Sequence, residues 1–100
     1  MVHQKTDFPT LLQFLHKVYE EKIPFNRVFE LQVTSLKEDD VCIKIEMKDE
    51  LIGNYEFGML HGGVISSVLD ITGGAIASIG VLKKLEGRPF EEITKRLTLL

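Results

Sequence analysis

The sequence predicts an α+β domain in which one long apolar helix packs on an antiparallel sheet. Residues 62–82 carry a single charged side chain, Asp70, within an apolar run long enough for a core helix. Apolar and polar residues alternate over residues 29–34 and 41–48, and this period of two is typical of half-buried strands. With 100 residues, the chain is expected to form one domain over residues 1–100.

The composition excludes several classes of function. The net charge is −3 and no cluster of Lys and Arg exceeds a pair, so the chain lacks a basic surface for nucleic acid. The lone cysteine, Cys42, cannot form an internal disulfide, and residues 1–10 contain no apolar signal segment, so we expect a cytoplasmic protein. A membrane helix is disfavoured because Asp70 near its middle would cost about 2.5–3.5 kcal/mol. A helix inside a soluble protein explains the same residues better.

Local signals place the elements along the chain. Asp7 is suited to cap a first helix, Pro24 ends that helix, and Gly80 is expected to end the central one. Residues 49–60 break both periods and read as a loop. The predicted elements are a helix at about 9–22, a strand hairpin at about 25–48, the central helix at about 62–79 and a short C-terminal helix at about 90–98.

The two predicted strands are too few for the helix that they must cover. An isolated hairpin is marginally stable in water, and the apolar helix predicted over residues 62–79 is long. Either further strands or other copies of the chain supply the cover. Tyr55, Phe57 and Met59 fit either a ligand pocket or ordinary core, and core is the favoured interpretation.

Two features near the start of the central helix carry candidate chemistry. Free N–H groups make a helix N-terminus a ready oxyanion site, and the absence of Cβ atoms at Gly62 and Gly63 would let an acyl carbonyl approach. The alternative is that the two glycines only form a tight turn. Asp70 is either an exposed or hydrogen-bonded structural residue, or a general base that burial strengthens for attack at a thioester carbonyl.

Helix geometry keeps these two groups apart within one chain. The eight residues from Gly62 to Asp70 correspond to about 12 Å along the helix axis. A base and an oxyanion donor that share one carbonyl must both lie within about 3 Å of its reacting atoms. Asp70 therefore cannot act with the Gly62 of its own helix. An antiparallel second copy would bring its glycines to this Asp70 and form two equivalent composite sites.

Three segments together resemble the hot-dog-fold acyl-CoA thioesterases, of the phenylacetate-pathway and thioesterase-superfamily-member type. They are Glu50-Leu51-Ile52-Gly53-Asn54, Gly58-Met59-Leu60-His61-Gly62-Gly63-Val64-Ile65, and Leu69-Asp70 with Gly73-Gly74. The resemblance spans roughly residues 25–100 and preserves the nine-residue step from His61 to Asp70. It implies a curved antiparallel sheet wrapped around one long helix, assembled into homodimers or homotetramers.

The resemblance also implies a role for each site residue. The Gly62 N–H would polarise the thioester carbonyl, and Asp70 of a second copy would act as general base on water or as nucleophile. His61 and Asn54 would shape the site near the thioester, and the position of Asn54 varies within the family. The residues assigned to substrate binding are Gly63, Ser66 and Ser67. Acyl-CoA is then the substrate, and neither a metal nor a cofactor takes part.

The chain departs from the family pattern at its end. Family members continue with further strands, the first of which often opens with a Thr or Ser near the catalytic water. We therefore expect a C-terminally truncated member, and a non-catalytic acyl-CoA-binding or structural hot-dog module is the alternative to a hydrolase. A dehydratase is disfavoured because it would need a His and an acidic residue paired across the dimer, and His61 lies at a helix start. A metal hydrolase is disfavoured because His3, His16 and His61 lack ligand spacing.

Overall fold

The computed structural model describes residues 7–97, and it confirms a mixed fold of helices and small antiparallel sheets. The helices are α1 (Phe8–Lys17), α2 (Pro24–Phe29), α3 (Gly62–Leu85) and α4 (Phe90–Leu97). The strands are β1 (Gln32–Lys37), β2 (Asp40–Lys44), β3 (Ile52–Asn54) and β4 (Met59–Leu60). Strand β1 pairs with β2, β3 pairs with β4, and the long helix α3 packs against β2.

Helix α1 begins as its sequence indicates. The Asp7 carboxylate accepts a hydrogen bond of 3.0 Å from the Thr10 N–H. Bonding from the Thr10 side chain, and then from this N–H, holds the pKa of Asp7 below its ordinary value. Pro9 is tolerated in the first turn because it lacks only an N–H that the helix does not use. A π-helical turn over Val18–Lys22 continues the segment, so the helical stretch agrees with the prediction for residues 9–22.

The hairpin is shorter than the 25–48 that the sequence indicated. Residues Pro24–Phe29 form α2 instead, because Pro24 suits a first helical position and the Phe25 and Phe29 rings stack edge-to-face at 5.1 Å. Glu30 then adopts a left-handed conformation, with φ of 52°, and ends the helix. The period of two misled the prediction because Phe29 also lies four residues after Phe25, which is the helical spacing.

A second, very short hairpin replaces part of the predicted loop. Ile52 pairs with Leu60 and Asn54 with Met59, and an irregularity lies between the two pairs. A single 3₁₀ turn over Asp49–Leu51 precedes it. Pairs of strands this short have no sequence period that could reveal them. The correction matters because this hairpin delivers the chain directly to the start of α3.

Helix α3 passes through Gly80 and ends at Leu85, beyond the predicted 62–79. Glycine is unfavourable in a helix interior, but Leu82 and Leu85, which follow Gly80, are buried in the core. Burying these two side chains outweighs the cost of one glycine of about 1 kcal/mol. A left-handed glycine, Gly87, then lies just past the end of the helix.

Two hydrophobic clusters lie along α3. The first joins α1, the C-terminal half of α3 and α4; its buried members are Leu11, Leu15, Ile79, Leu82, Leu85 and Ile93. The second joins α2, the strands and the N-terminal half of α3; its buried members are Phe29, Leu31, Val33, Leu51, Val64 and Ile71. The Cα radius of gyration is 15.8 Å, which exceeds the roughly 13 Å of a compact domain of this length. The fold is therefore elongated along the helix.

One side of α3 is left uncovered by the described part of the chain. We define the open face of α3 by its exposed residues Ile65, Ser66, Leu69, Asp70, Gly73, Ile76, Ala77 and Gly80. The helix is long and apolar enough to cross a membrane, and 22% of its most apolar window is buried within the chain. The opposite side of the helix supplies the buried residues Val64, Ile71, Ile79, Leu82 and Leu85 to the two clusters.

Two leucines of α3 provide a test of this division. Leu82 is fully buried and Leu69 is 68% exposed. We expect Leu82→Ala to lower the free energy of unfolding by about 2–5 kcal/mol, because it leaves a cavity. Leu69→Ala should change it by less than about 0.5 kcal/mol in dilute, monomeric protein. Urea titrations of both variants measure the difference, and equal losses would contradict the assigned orientation of the helix.

Candidate functional site

The short β3–β4 hairpin positions His61 at the start of α3. The His61 N–H donates a hydrogen bond of 2.8 Å to the Leu51 carbonyl. Gly53 lies directly against His61, since a Cβ atom at this glycine would come within 2.7 Å of the His61 Cα. Only a residue without a side chain allows the strand to approach so closely. His61 is therefore fixed by backbone contacts on both sides.

His61 caps the helix with its own side chain. Its Nδ1 accepts a hydrogen bond of 2.7 Å from the Gly63 N–H. An imidazole nitrogen that accepts carries no proton, so the neutral ring holds its proton on Nε2. A Cβ at Gly63 would lie 2.8 Å from Nδ1, so the second glycine is needed to make room for the cap. The sequence assigned His61 to the substrate and missed this structural role.

Gly62 differs from Gly63 both in the hydrogen bonding of its N–H and in the space around its Cβ position. Its N–H has no acceptor within residues 7–97, whereas the N–H groups of Gly63 and Val64 bond to His61 Nδ1 and to the His61 carbonyl. No atom lies within 4 Å of the position where a Cβ of Gly62 would stand. Nothing in the described chain therefore requires glycine here. An unused N–H donor on an exposed residue at a helix N-terminus is a group that an oxyanion can use.

The two serines of the first helical turns are turned towards the helix backbone. Ser66 Oγ donates to the Gly62 carbonyl at 3.3 Å, and Ser67 Oγ donates to the Gly63 carbonyl at 2.8 Å. Each hydroxyl keeps lone pairs with which it can accept a further hydrogen bond. A ligand that donates hydrogen bonds could thus meet either serine.

Asn54 has a structural task in the β3–β4 turn. Its Oδ1 accepts hydrogen bonds from the N–H groups of Glu56 and Phe57, at 3.1 and 3.2 Å. This is the local side-chain bonding by which Asn commonly holds a turn. Only its amide nitrogen, which has no partner in the part of the chain that the structure describes, is left for a substrate.

Asp70 lies on the open face of α3 and is exposed to solvent. It makes no ion pair or hydrogen bond with any residue between 7 and 97. The interpretation as a carboxylate bonded to a serine is therefore not realised within the chain. Asp70 and the Gly62 N–H are both accessible and both unused, which leaves each available to a group from outside the chain.

An apolar pocket of about 230 Å³ adjoins the open face. Its lining residues are Ile45, Leu60, Val64, Ile65, Val68 and Leu69. Every one of them is an uncharged hydrocarbon side chain, so the pocket suits an aliphatic group. The sequence assigned none of these residues to a pocket, because a lining made of ordinary aliphatic residues looks like core.

Three large side chains that the sequence assigned to the core, two aromatic rings and one methionine, are exposed instead. Tyr55 and Phe57 lie in the β3–β4 turn, and Met59 begins β4, with more than half of each side chain in solvent. Within the described part of the chain, these three side chains therefore form no part of the buried core.

Of the three histidines considered as metal ligands, His3 lies outside the described residues and His16 bonds to Glu20 at 3.1 Å.

Comparison with known proteins gives relatives in both sequence and structure. The chain is 25% identical over 87 residues to the medium/long-chain acyl-CoA thioesterase YigI of Escherichia coli K12. It resembles a crystal structure from Shewanella oneidensis related to the thioesterase superfamily, with a TM-score of 0.83, 33% identity and coverage of 93% of this chain and 62% of that one. A thioesterase-like protein from Syntrophus aciditrophicus matches with a TM-score of 0.71 and 41% identity, over 90% of this chain and 59% of that one.

These likenesses confirm that the chain resembles the hot-dog thioesterases in sequence and shares their fold. The match to YigI covers 87% of this chain and 56% of the length of that enzyme. No protein-family model matches the sequence.

The contrast between the paired glycines predicts opposite effects of one methyl group. Gly63→Ala should lower the free energy of unfolding by about 1–3 kcal/mol, because its Cβ collides with the capping imidazole. Gly62→Ala should leave it unchanged or raise it by up to about 1 kcal/mol, because the unfolded chain loses freedom and nothing is crowded. Thermal unfolding of the two variants compares them. A larger loss in Gly62→Ala would show that the cap is placed wrongly.

Proposed function

We propose that the chain is a hydrolase of acyl-CoA thioesters that acts as a homo-oligomer. The observation that carries the proposal is the pair of unused, accessible groups on α3: the Gly62 N–H and the Asp70 carboxylate. The adjoining aliphatic pocket and the similarity to a medium/long-chain acyl-CoA thioesterase support it. Within one chain about 12 Å of helix separates the two groups, so they cannot act together on one carbonyl.

The chemistry needs one donor and one base at the same carbonyl. The Gly62 N–H, aided by the positive end of the α3 dipole, stabilises the negative charge that develops on the thioester oxygen. Asp70 of a second copy takes a proton from water, whose oxygen attacks the carbonyl carbon. The tetrahedral intermediate then expels the CoA thiolate, which recovers the proton, and the acid is released. Direct attack by Asp70, giving an anhydride that water hydrolyses, is the variant of this route.

An antiparallel second copy would bring the two groups together. The open face carries Gly73, Ala77 and Gly80, which are small enough for another backbone to come close. It also exposes Ile65, Leu69 and Ile76 to water, and their burial would favour association. Covering this face would take Asp70 out of bulk water, which strengthens a carboxylate as a base. A two-fold dimer, alone or within a tetramer, would hold two such sites.

The remaining site residues take supporting roles in this proposal. His61 positions the Gly62 N–H by capping the helix, and Gly63 makes room for the ring. The amide nitrogen of Asn54 and the hydroxyl groups of Ser66 and Ser67 are available to hold the thioester end of the substrate. We assign the acyl chain to the pocket beside Leu60 and the open face, and the enzyme to the cytoplasm, where acyl-CoA occurs.

The role of the base is tested by replacing Asp70. We expect Asp70→Asn to lower kcat/KM by about 10²–10⁴-fold, because an amide cannot accept the proton of water. Release of thiol from a panel of acyl-CoAs, followed with a thiol reagent, measures the rate. Sedimentation should give an unchanged oligomer, and Asp39→Asn, in the β1–β2 turn, serves as the matched control. An unchanged rate in Asp70→Asn would refute the mechanism, and binding without thiol release by the unmodified chain would identify a binding module.

The composite site is tested by mixing two inactive variants. Gly62→Val blocks the oxyanion donor and Asp70→Asn removes the base, so neither homo-oligomer should hydrolyse substrate. In a mixed dimer one site carries both defects and the other carries neither. Equal co-folding should restore about a quarter of the unmodified activity, because half of the dimers are mixed and each has one intact site. The absence of recovery, with mixed dimers present, would place both groups of a site in one chain.

A further inference from the structure

A second cavity lies between α1, α3 and α4, apart from the candidate active site. Its volume is about 370 Å³, and its lining residues are Phe14, Leu15, Val18, Tyr19, Ile23, Ser78, Thr94 and Leu97. Ser78 follows Asp70 by eight residues, which places it about 12 Å further along α3 and about 24 Å from Gly62. None of the lining residues is among those assigned above to the thioester site.

Ser78 is the unusual member of this lining. It is 6% exposed, yet its hydroxyl has no hydrogen-bond partner among residues 7–97. The other hydroxyl residues of α3, Ser66, Ser67 and Thr72, all donate to the carbonyl four residues earlier. Buried polar groups without a partner are rare because they lose their hydrogen bonds to water without replacement. The unused hydroxyl therefore requires an explanation at the cavity itself.

Water does not explain the Ser78 hydroxyl well. A buried water needs two to four polar partners, whereas the cavity is walled mainly by aliphatic and aromatic side chains. Of the other two hydroxyl groups in the lining, that of Thr94 already donates to the Glu91 carbonyl at 3.1 Å, and that of Tyr19 belongs to a partly exposed side chain that water can reach from outside. No charged side chain lines the cavity, so a charged ligand group would be buried there without a counter-ion.

We propose that this cavity binds an uncharged, mainly aliphatic molecule that carries one oxygen atom, and that this oxygen bonds to Ser78. The volume lies within the range of small-molecule sites. The hydrocarbon body of such a ligand fits the walls, and its single oxygen satisfies the buried, unused hydroxyl of Ser78. The site is separate from the proposed thioesterase chemistry, because it needs neither Asp70 nor Gly62.

Tyrosine fluorescence provides a direct measurement. The chain has two tyrosines and no tryptophan, and Tyr19 lines the cavity whereas Tyr55 is exposed in the β3–β4 turn. In the Tyr55→Phe background, the emission therefore reports on Tyr19 alone. Titration with 1-octanol should give a saturable change. The absence of a saturable change would overturn the proposal.

Three variants in this background identify the bonding group. Ser78→Ala keeps the wall and removes the hydroxyl, so octanol should bind about tenfold more weakly. Thr72→Val, which removes a hydroxyl of α3 outside the cavity, should leave the dissociation constant unchanged. Val18→Phe should fill the space and abolish binding, with far-UV circular dichroism confirming the fold. Equal affinity of Ser78→Ala and the unmodified chain would overturn the assigned role, as would equal weakening by Thr72→Val.

Discussion

The hydrogen bond from the Gly63 N–H to His61 Nδ1 fixes the point at which α3 begins. The His61 N–H is held in turn by the Leu51 carbonyl, and Gly53 lies against the same residue. A helix start held in this way leaves the preceding donor, the Gly62 N–H, without an acceptor among residues 7–97. One capped residue thus produces both the stability of the helix end and the unused donor. Structure and candidate chemistry depend on the same contact, because the cap uses the Gly63 N–H and leaves the preceding N–H, that of Gly62, unused.

The second constraint is that α3 has more apolar surface than the described chain can cover. Its inner side builds two clusters, and its open face presents both hydrocarbon and the carboxylate of Asp70 to solvent. Exposed hydrocarbon of this extent is unfavourable in a monomer, and the carboxylate within it is placed where another copy could complete a site. Association and catalysis would then be two results of one surface. The presence of both small and large side chains on this face is compatible with a close contact between helices.

The sequence predicted the class of fold correctly, whereas the catalytic and binding roles that it suggested for residues near the start of α3 stay predictions. Long-range periodicity identified α1 and α3 because each has many residues on one buried side. It failed at α2, where two phenylalanines fit both the strand and the helix spacing, and at β3–β4, where the strands are too short to show any period. The glycine pair was noticed, yet which glycine is structural depends on where the imidazole turns. That is a tertiary contact, and a single sequence holds no signal for it.

The two clusters along α3 also affect how the protein unfolds. Cluster one lies at the C-terminal half of the helix and cluster two at the N-terminal half, and Tyr19 and Leu36 pack against both. A helix of 24 residues spans about 36 Å, so the two ends are too distant to stabilise each other directly. Each half can then exchange its amide hydrogens through its own local opening. Cooperativity between the halves would pass through the helix backbone and through Tyr19 and Leu36, which makes these two side chains the link between two partly independent folding units.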